Sequence, residues 1–134
     1  MERHAMRKVF FDSFRKHHEK LPLEPLEAQI LDIILLHPEY HPLLSQPDVY
    51  QEKDFNDTNP FLHLSLHLAI REQINTNRPA GIQTVFQHLS QKLHDPHAVE
   101  HKMMECLTDI LSRAQQTGTM PDEKDYLEYL QRIT

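Results

Sequence analysis

The sequence has little of what many chemistry-bearing folds require. It holds one cysteine, Cys106, in 134 residues, so no disulfide can form within the chain. It holds two glycines, and the tight hairpin turns that rely on glycine are correspondingly scarce. No glycine-rich loop is present to cradle a phosphate, which argues against a nucleotide cofactor. The longest uninterrupted apolar run is Ile33 to Leu36, far short of the roughly 20 residues that a membrane-spanning helix needs. Near the N-terminus, charged residues are followed only by Val9, Phe10 and Phe11 before Asp12, too little for the apolar stretch of a secretory signal. These absences lead to the expectation of a cytoplasmic protein with a reduced thiol and no membrane association.

Positive charge is also in short supply. Fourteen Lys and Arg stand against twenty Asp and Glu, a net charge of −6. No basic run is longer than the short Arg15-Lys16-His17-His18 cluster. A phosphate backbone is bound through clustered cations, so nucleic acid is disfavoured as a partner. What remains is ordinary globular composition, 39% hydrophobic and 25% charged. A chain of this length can bury a core without help from a disulfide or a metal, and the expectation is one domain over residues 1–134.

Prolines divide the chain into helical pieces. The first piece runs from about Met6 to Lys20, with Met6, Phe10 and Phe14 recurring at helical spacing as a core stripe. Pro22 and Pro25 break it. The second starts near Pro25 and places Leu26, Ile30, Ile33 and His37 on one face; Pro38 ends it near His37. Glu39 to Asn59 reads as a polar connector with room for a short turn of helix. Asn59-Pro60 has the form of a cap followed by a first-turn proline and opens a third helix to about Thr76. Within it, Leu62-His63-Leu64-Ser65-Leu66-His67-Leu68 alternates as a strand would. Leucine instead of β-branched residues, together with the cap, favours helix. A fourth helix covers roughly Ile82 to Leu93. A fifth runs from Asp95-Pro96 to about Gln116, where Gly118 stops it. A sixth begins at Pro121-Asp122-Glu123, with Tyr126, Leu127, Leu130 and Ile133 facing inward. The fold expected is therefore an all-α bundle of about five to six helices.

One residue type is abundant. Histidine occurs eleven times, and several of these fall at i, i+4 spacing. His63 and His67 share one face of the third helix, in line with Ile70 and Ile74, so their imidazoles should point into protein. Glu72 lies almost opposite and cannot join them. The fifth helix carries His97, His101 and Glu105 at successive steps of four. His37 and His41 offer a third source. A neutral imidazole is a good ligand for a transition metal. Packing the third helix against the fifth would gather two histidine pairs and a carboxylate into a site between two central helices. Such a set suits zinc with an open position, or iron or manganese. The candidate ligands are His63, His67, His101 and Glu105, with His97, His41 and His37 available to complete the shell.

The bland reading stands beside this one. Histidine pairs arise by chance in a histidine-rich chain, and core imidazoles can be satisfied by backbone or carboxylate partners. The protein would then be a non-enzymatic module that binds a partner protein through an exposed apolar patch. His4, His17, His18, His88 and His94 read as surface or core-edge residues. Cys106 falls in an apolar arc with Val99, Met103 and Ile110 and reads as buried and inert. The zinc-protease motif His-Glu-x-x-His, the Glu-x-x-His pair of di-iron bundles and the Gly-x-Ser-x-Gly elbow are all absent.

Three stretches carry a family likeness: PLEAQILDIILLHPEYH (Pro25 to His41), NPFLHLSLHLAIREQINTNRPAGI (Asn59 to Ile82), and His97 to Gln115 with the following Pro121-Asp122 and Tyr126-Leu127-Glu128. Through them the sequence resembles a family of small bacterial proteins known as domain of unknown function 1841. The resemblance covers most of the chain and implies bacterial origin and an all-helical fold. It assigns no activity and no catalytic residue. His37, His41, His63, His67, His101 and Glu105 all lie in the stretches that carry it.

Overall fold

The nine prolines act where the sequence places them, at helix starts and in the breaks between helices. The computed structural model describes residues 3–55 and 59–133. The side chain of His4, expected at the surface, and residues 56–58 of the connector lie outside that description. Among the described residues there are eight α-helices and no strand. The all-α expectation holds, but the count of five to six does not. The six long helices are as anticipated, and the excess is two one-turn helices inside the connector, each with a proline in its first two positions. None of the described helices is long and apolar enough to cross a membrane.

The chain divides into two compact units, residues 1–68 and 69–134. In the first, α1 (Arg3–His18) packs on α2 (Pro25–Leu35). A 3-10 turn (Pro38–Tyr40) then leads into the one-turn helices α3 (His41–Leu44) and α4 (Pro47–Tyr50). Helix α5 (Pro60–Thr76) contributes its N-terminal half to this unit. The core consists of Phe10, Phe11, Phe14, Ile30, Ile33, Ile34, Leu44, Phe61 and Leu64. Phe61 stacks on Phe10 with ring centroids 6.1 Å apart and meets Phe11 edge-on at 5.5 Å. Each of these large side chains contributes about 1.5–3 kcal/mol by leaving water.

Both ends of α2 are built by side chains. At its start Pro25 occupies the first helical position, and the Glu27 carboxylate accepts the Glu24 backbone N–H at 2.8 Å. The same oxygen takes a hydrogen bond from Lys16 of α1 at 2.9 Å, tying the two helices together. These two donors, the Glu24 amide first, hold the Glu27 carboxyl below its usual range. A depressed folded-state value stabilises the fold above the ordinary carboxylate pKa and loses that effect as pH falls through the folded value. Glu27→Gln should therefore be less stable than the wild type at pH 7, with the gap closing as the pH is lowered into the acid range. Urea midpoints measured across pH read this directly, and a gap that stays constant with pH would remove the carboxylate from the explanation.

The second unit holds the rest of α5 with α6 (Ile82–Leu93), α7 (Pro96–Thr117) and α8 (Glu123–Ile133), the last three packing pairwise. Ile70, Ile82, Val85, Leu89, Val99, Met103, Cys106, Tyr126 and Leu130 are buried there. The turn before α6 needs Gly81 at φ 101°, a conformation that L side chains rarely adopt. Asn77 caps the helix by accepting from the Gly81 and Gln83 amides at 3.2 and 3.1 Å. Asp95 caps α7 by accepting from the His97 amide at 3.0 Å, and Gly118 ends that helix at φ 68° as the sequence predicts. Tyr126 donates its hydroxyl to Gln73 at 2.8 Å, and Arg71 pairs with the nearly buried Glu100 at 3.2 Å.

Candidate metal centre

The end of α2 begins the site. A helix leaves its last carbonyls without intrahelical partners. Pro38 disfavours helical backbone at the residue before it, and His37 takes up φ −127°, ψ 66° just beyond the last turn. From there its Nδ1–H donates to the Ile33 carbonyl at 2.8 Å. His41 does the same with the next carbonyl, Nε2 donating to Ile34 at 2.9 Å. Two imidazoles thus cap α2. Because a carbonyl can only accept, His37 must carry its proton on Nδ1 when neutral, which makes Nε2 the lone-pair nitrogen.

On α5, the cap opens the helix as expected. Asn59 accepts from the Phe61 and Leu62 amides at 3.0 and 3.3 Å, and Pro60 occupies the first turn. The alternating segment is helical throughout, so His63 and His67 stand one turn apart on the same face. His67 is fully buried, His37 is 2% exposed and His63 is half-buried.

These three imidazoles meet. His63 Nε2 lies 3.1 Å from His37 Nε2 and 3.2 Å from His67 Nε2. Ring nitrogens of all three lie within 4.8 Å of one another. The rings stand steeply to each other, at 80°, 63° and 77°, as planes do when they aim their edges at a common point. Hydrogen bonding explains this poorly. A ring nitrogen carries either a proton or an in-plane lone pair. With the lone pair of His37 fixed on Nε2, one proton on His63 Nε2 can serve only one of its two close neighbours. A cation accepts all three lone pairs at once. Two nitrogens held at about 2.05 Å on a tetrahedral zinc stand about 3.3 Å apart, close to the spacings here. The backbone carbonyl on His37 Nδ1 is the kind of outer partner that fixes a ligand's tautomer and orientation.

Tyr40 walls the site. Its ring lies parallel to His37 at 5.5 Å and edge-on to His63 at 6.1 Å. Burial first, and then the neighbouring Glu39, push its phenol pKa up, so it is protonated near neutrality.

The other sequence candidates make contacts of their own. His41 is turned to the Ile34 carbonyl and to the Phe14 ring, 5.0 Å away. In the second unit His97 and His101 face each other on α7, their Nε2 atoms 2.9 Å apart. Glu105 is exposed and lies 3.7 Å from Lys102. Glu72 is exposed and off the site, as its position opposite His63 and His67 requires. His17, His18, His88 and His94 are exposed. The sequence reading did not anticipate Tyr40; its only signal was its place between the two capping histidines.

Cys106 behaves as its apolar surroundings predict. It is 3% exposed, and burial, followed by the Glu105 charge, raises its thiol pKa to about 11. The native protein should resist thiol reagents near pH 8 and react stoichiometrically only when unfolded. Rapid labelling of the folded chain would contradict this placement.

The sequence model of the family described as a domain of unknown function (DUF1841) matches residues 2–132, and the chain belongs to that family. No curated protein and no solved structure matches it.

Proposed function

We propose that this is a metal-binding helical protein whose His37, His63 and His67 hold one divalent transition-metal ion through their Nε2 atoms. The observation that carries the reading is the convergence of three ring nitrogens that protons cannot satisfy together. The donors are neutral nitrogens, without thiolate or carboxylate. That set suits zinc better than manganese or ferrous iron, which favour sites with carboxylate ligands. The position of the ligands supports a role in holding the fold: an ion there ties the segment after α2 to α5, two parts of the first unit joined by a long connector. Three protein ligands leave a coordination position for water or a further donor.

The test is metal analysis of protein produced without a polyhistidine tag. About one ion per chain is expected, retained through gel filtration and lost in His63→Ala/His67→Ala. Metal far below stoichiometry in the wild type after zinc reconstitution would overturn the reading. His101→Ala and Glu105→Gln belong in the same panel: an affinity loss of about tenfold or more in either would add the α7 row to the ligand set.

A further inference from the structure

Away from the histidine cluster, one side of α1 carries Lys8, Phe11, Asp12, Arg15 and His18 at steps of three and four residues, which makes them one stripe. Across from it lie Leu44 and Ser45 at the end of α3 and Pro47 at the start of α4. Between them runs a half-open groove of about 580 Å³, a size within the roughly 300–1,000 Å³ typical of small-ligand sites. Its floor is apolar, formed by Phe11, Phe14 and Leu44. Lys8, Arg15 and Asp12 stand at its mouth, with the His18 ring beside them. The charge is not all committed. Arg15 is paired with Glu19 at 2.7 Å, but Lys8 has no ion pair among the described residues.

We propose that this groove binds a small amphiphile with an apolar body and a carboxylate end, the body lying on Phe11, Phe14 and Leu44 and the carboxylate meeting Lys8. Both halves of the ligand are needed. An anion without an apolar body would forgo the floor, which contributes about 0.8 kcal/mol for each methylene buried. A neutral amphiphile would forgo the charge-assisted contact at the rim. The proposal is independent of the metal site.

Octanoate, acetate and 1-octanol serve as probes, titrated into ¹⁵N-labelled full-length protein well below micelle-forming concentrations. Octanoate should give saturable amide shifts centred on Phe11, Phe14 and Leu44. 1-Octanol should bind about tenfold more weakly, and acetate should leave those amides unmoved. Lys8→Glu, an exposed change that the fold tolerates, should weaken octanoate about tenfold without altering 1-octanol. Ser45→Trp, at an exposed position of the lining, narrows the groove and should weaken both. Equal affinity for octanoate and 1-octanol, or octanoate binding indifferent to Lys8→Glu, would overturn the proposal. So would concentration-dependent broadening of the groove amides without any ligand response, since that outcome assigns the face to a second copy of the chain.

Discussion

Zinc loading is expected to raise the thermal midpoint of the wild-type protein by about 10–15 °C, and His67→Ala is expected to erase that rise. A ligand that binds only the folded state stabilises it by about 4 kcal/mol when present at about a thousand times its dissociation constant. For a chain of this length each kcal/mol moves the midpoint by about 3–4 °C. His67 is the decisive position because it is fully buried and its Nε2 lies 3.2 Å from that of His63. Truncation removes a ligand and leaves a cavity, so the apo variant could melt low for reasons of packing alone. His67→Gln nearly keeps the volume and separates the two effects. Its apo midpoint should stay near that of the apo wild type, while its zinc response should fall steeply. Calorimetry with and without a chelator measures both quantities. A zinc response in His67→Gln equal to that of the wild type would take His67 out of the ligand set.

Much of the fold could be read in advance because its signals were local. Asn59-Pro60, Asp95-Pro96 and Gly118 mark helix ends by their own backbone chemistry, and each ends or begins a helix as read. The alternating leucines of α5 were the one real ambiguity, and the capped start was the better guide. The connector was read with room for one short turn of helix; it holds two one-turn helices, and neither could be placed because a single turn is too short to show a period.

Part of the candidate site was legible for the same reason. His63 and His67 sit inside one continuous helix, where a spacing of four means adjacency. The same rule fails for His37 and His41. Pro38 breaks the register between them, a 3-10 turn intervenes, and the two rings diverge: one joins His63 and His67, the other caps Ile34 against Phe14. A spacing argument holds only as far as the helix that defines it. The carboxylate row on α7 shows a second limit. Sequence places Glu105 in line with His97 and His101, but the same spacing rule also sets Lys102, three residues earlier, beside it, and that neighbour was not weighed.

The feature least visible in the sequence produces the second large expected effect. Arg7 lies among the buried phenylalanines of α1, where periodicity alone would place an apolar residue, and it is 2% exposed. Its guanidinium packs over the Phe61 ring at 4.6 Å and the Phe55 ring at 5.5 Å. From that position Nη1 faces three backbone carbonyls, those of Tyr50, Gln51 and Lys53, at 3.1, 3.3 and 2.7 Å. Helix α4 is a single turn, and the carbonyls of Gln51 and Lys53 lie beyond its end. Arg7 donates to all three and anchors the chain leaving α4 to α1. Arg7→Met fills much of the same space but donates nothing, so these partly buried carbonyls lose their charged donor and the ring faces lose their cation. A loss of about 3–5 kcal/mol is expected, from the strong hydrogen bonds to a charged donor and the desolvated carbonyls left behind. Arg7→Lys should recover only part of it, because an ammonium lacks the planar fork that stacks between rings while donating along its edge. Urea denaturation of the three proteins measures the series. A methionine variant within about 0.5 kcal/mol of the wild type would mean that the loop after α4 is held by its own packing and that Arg7 is a passenger in the core.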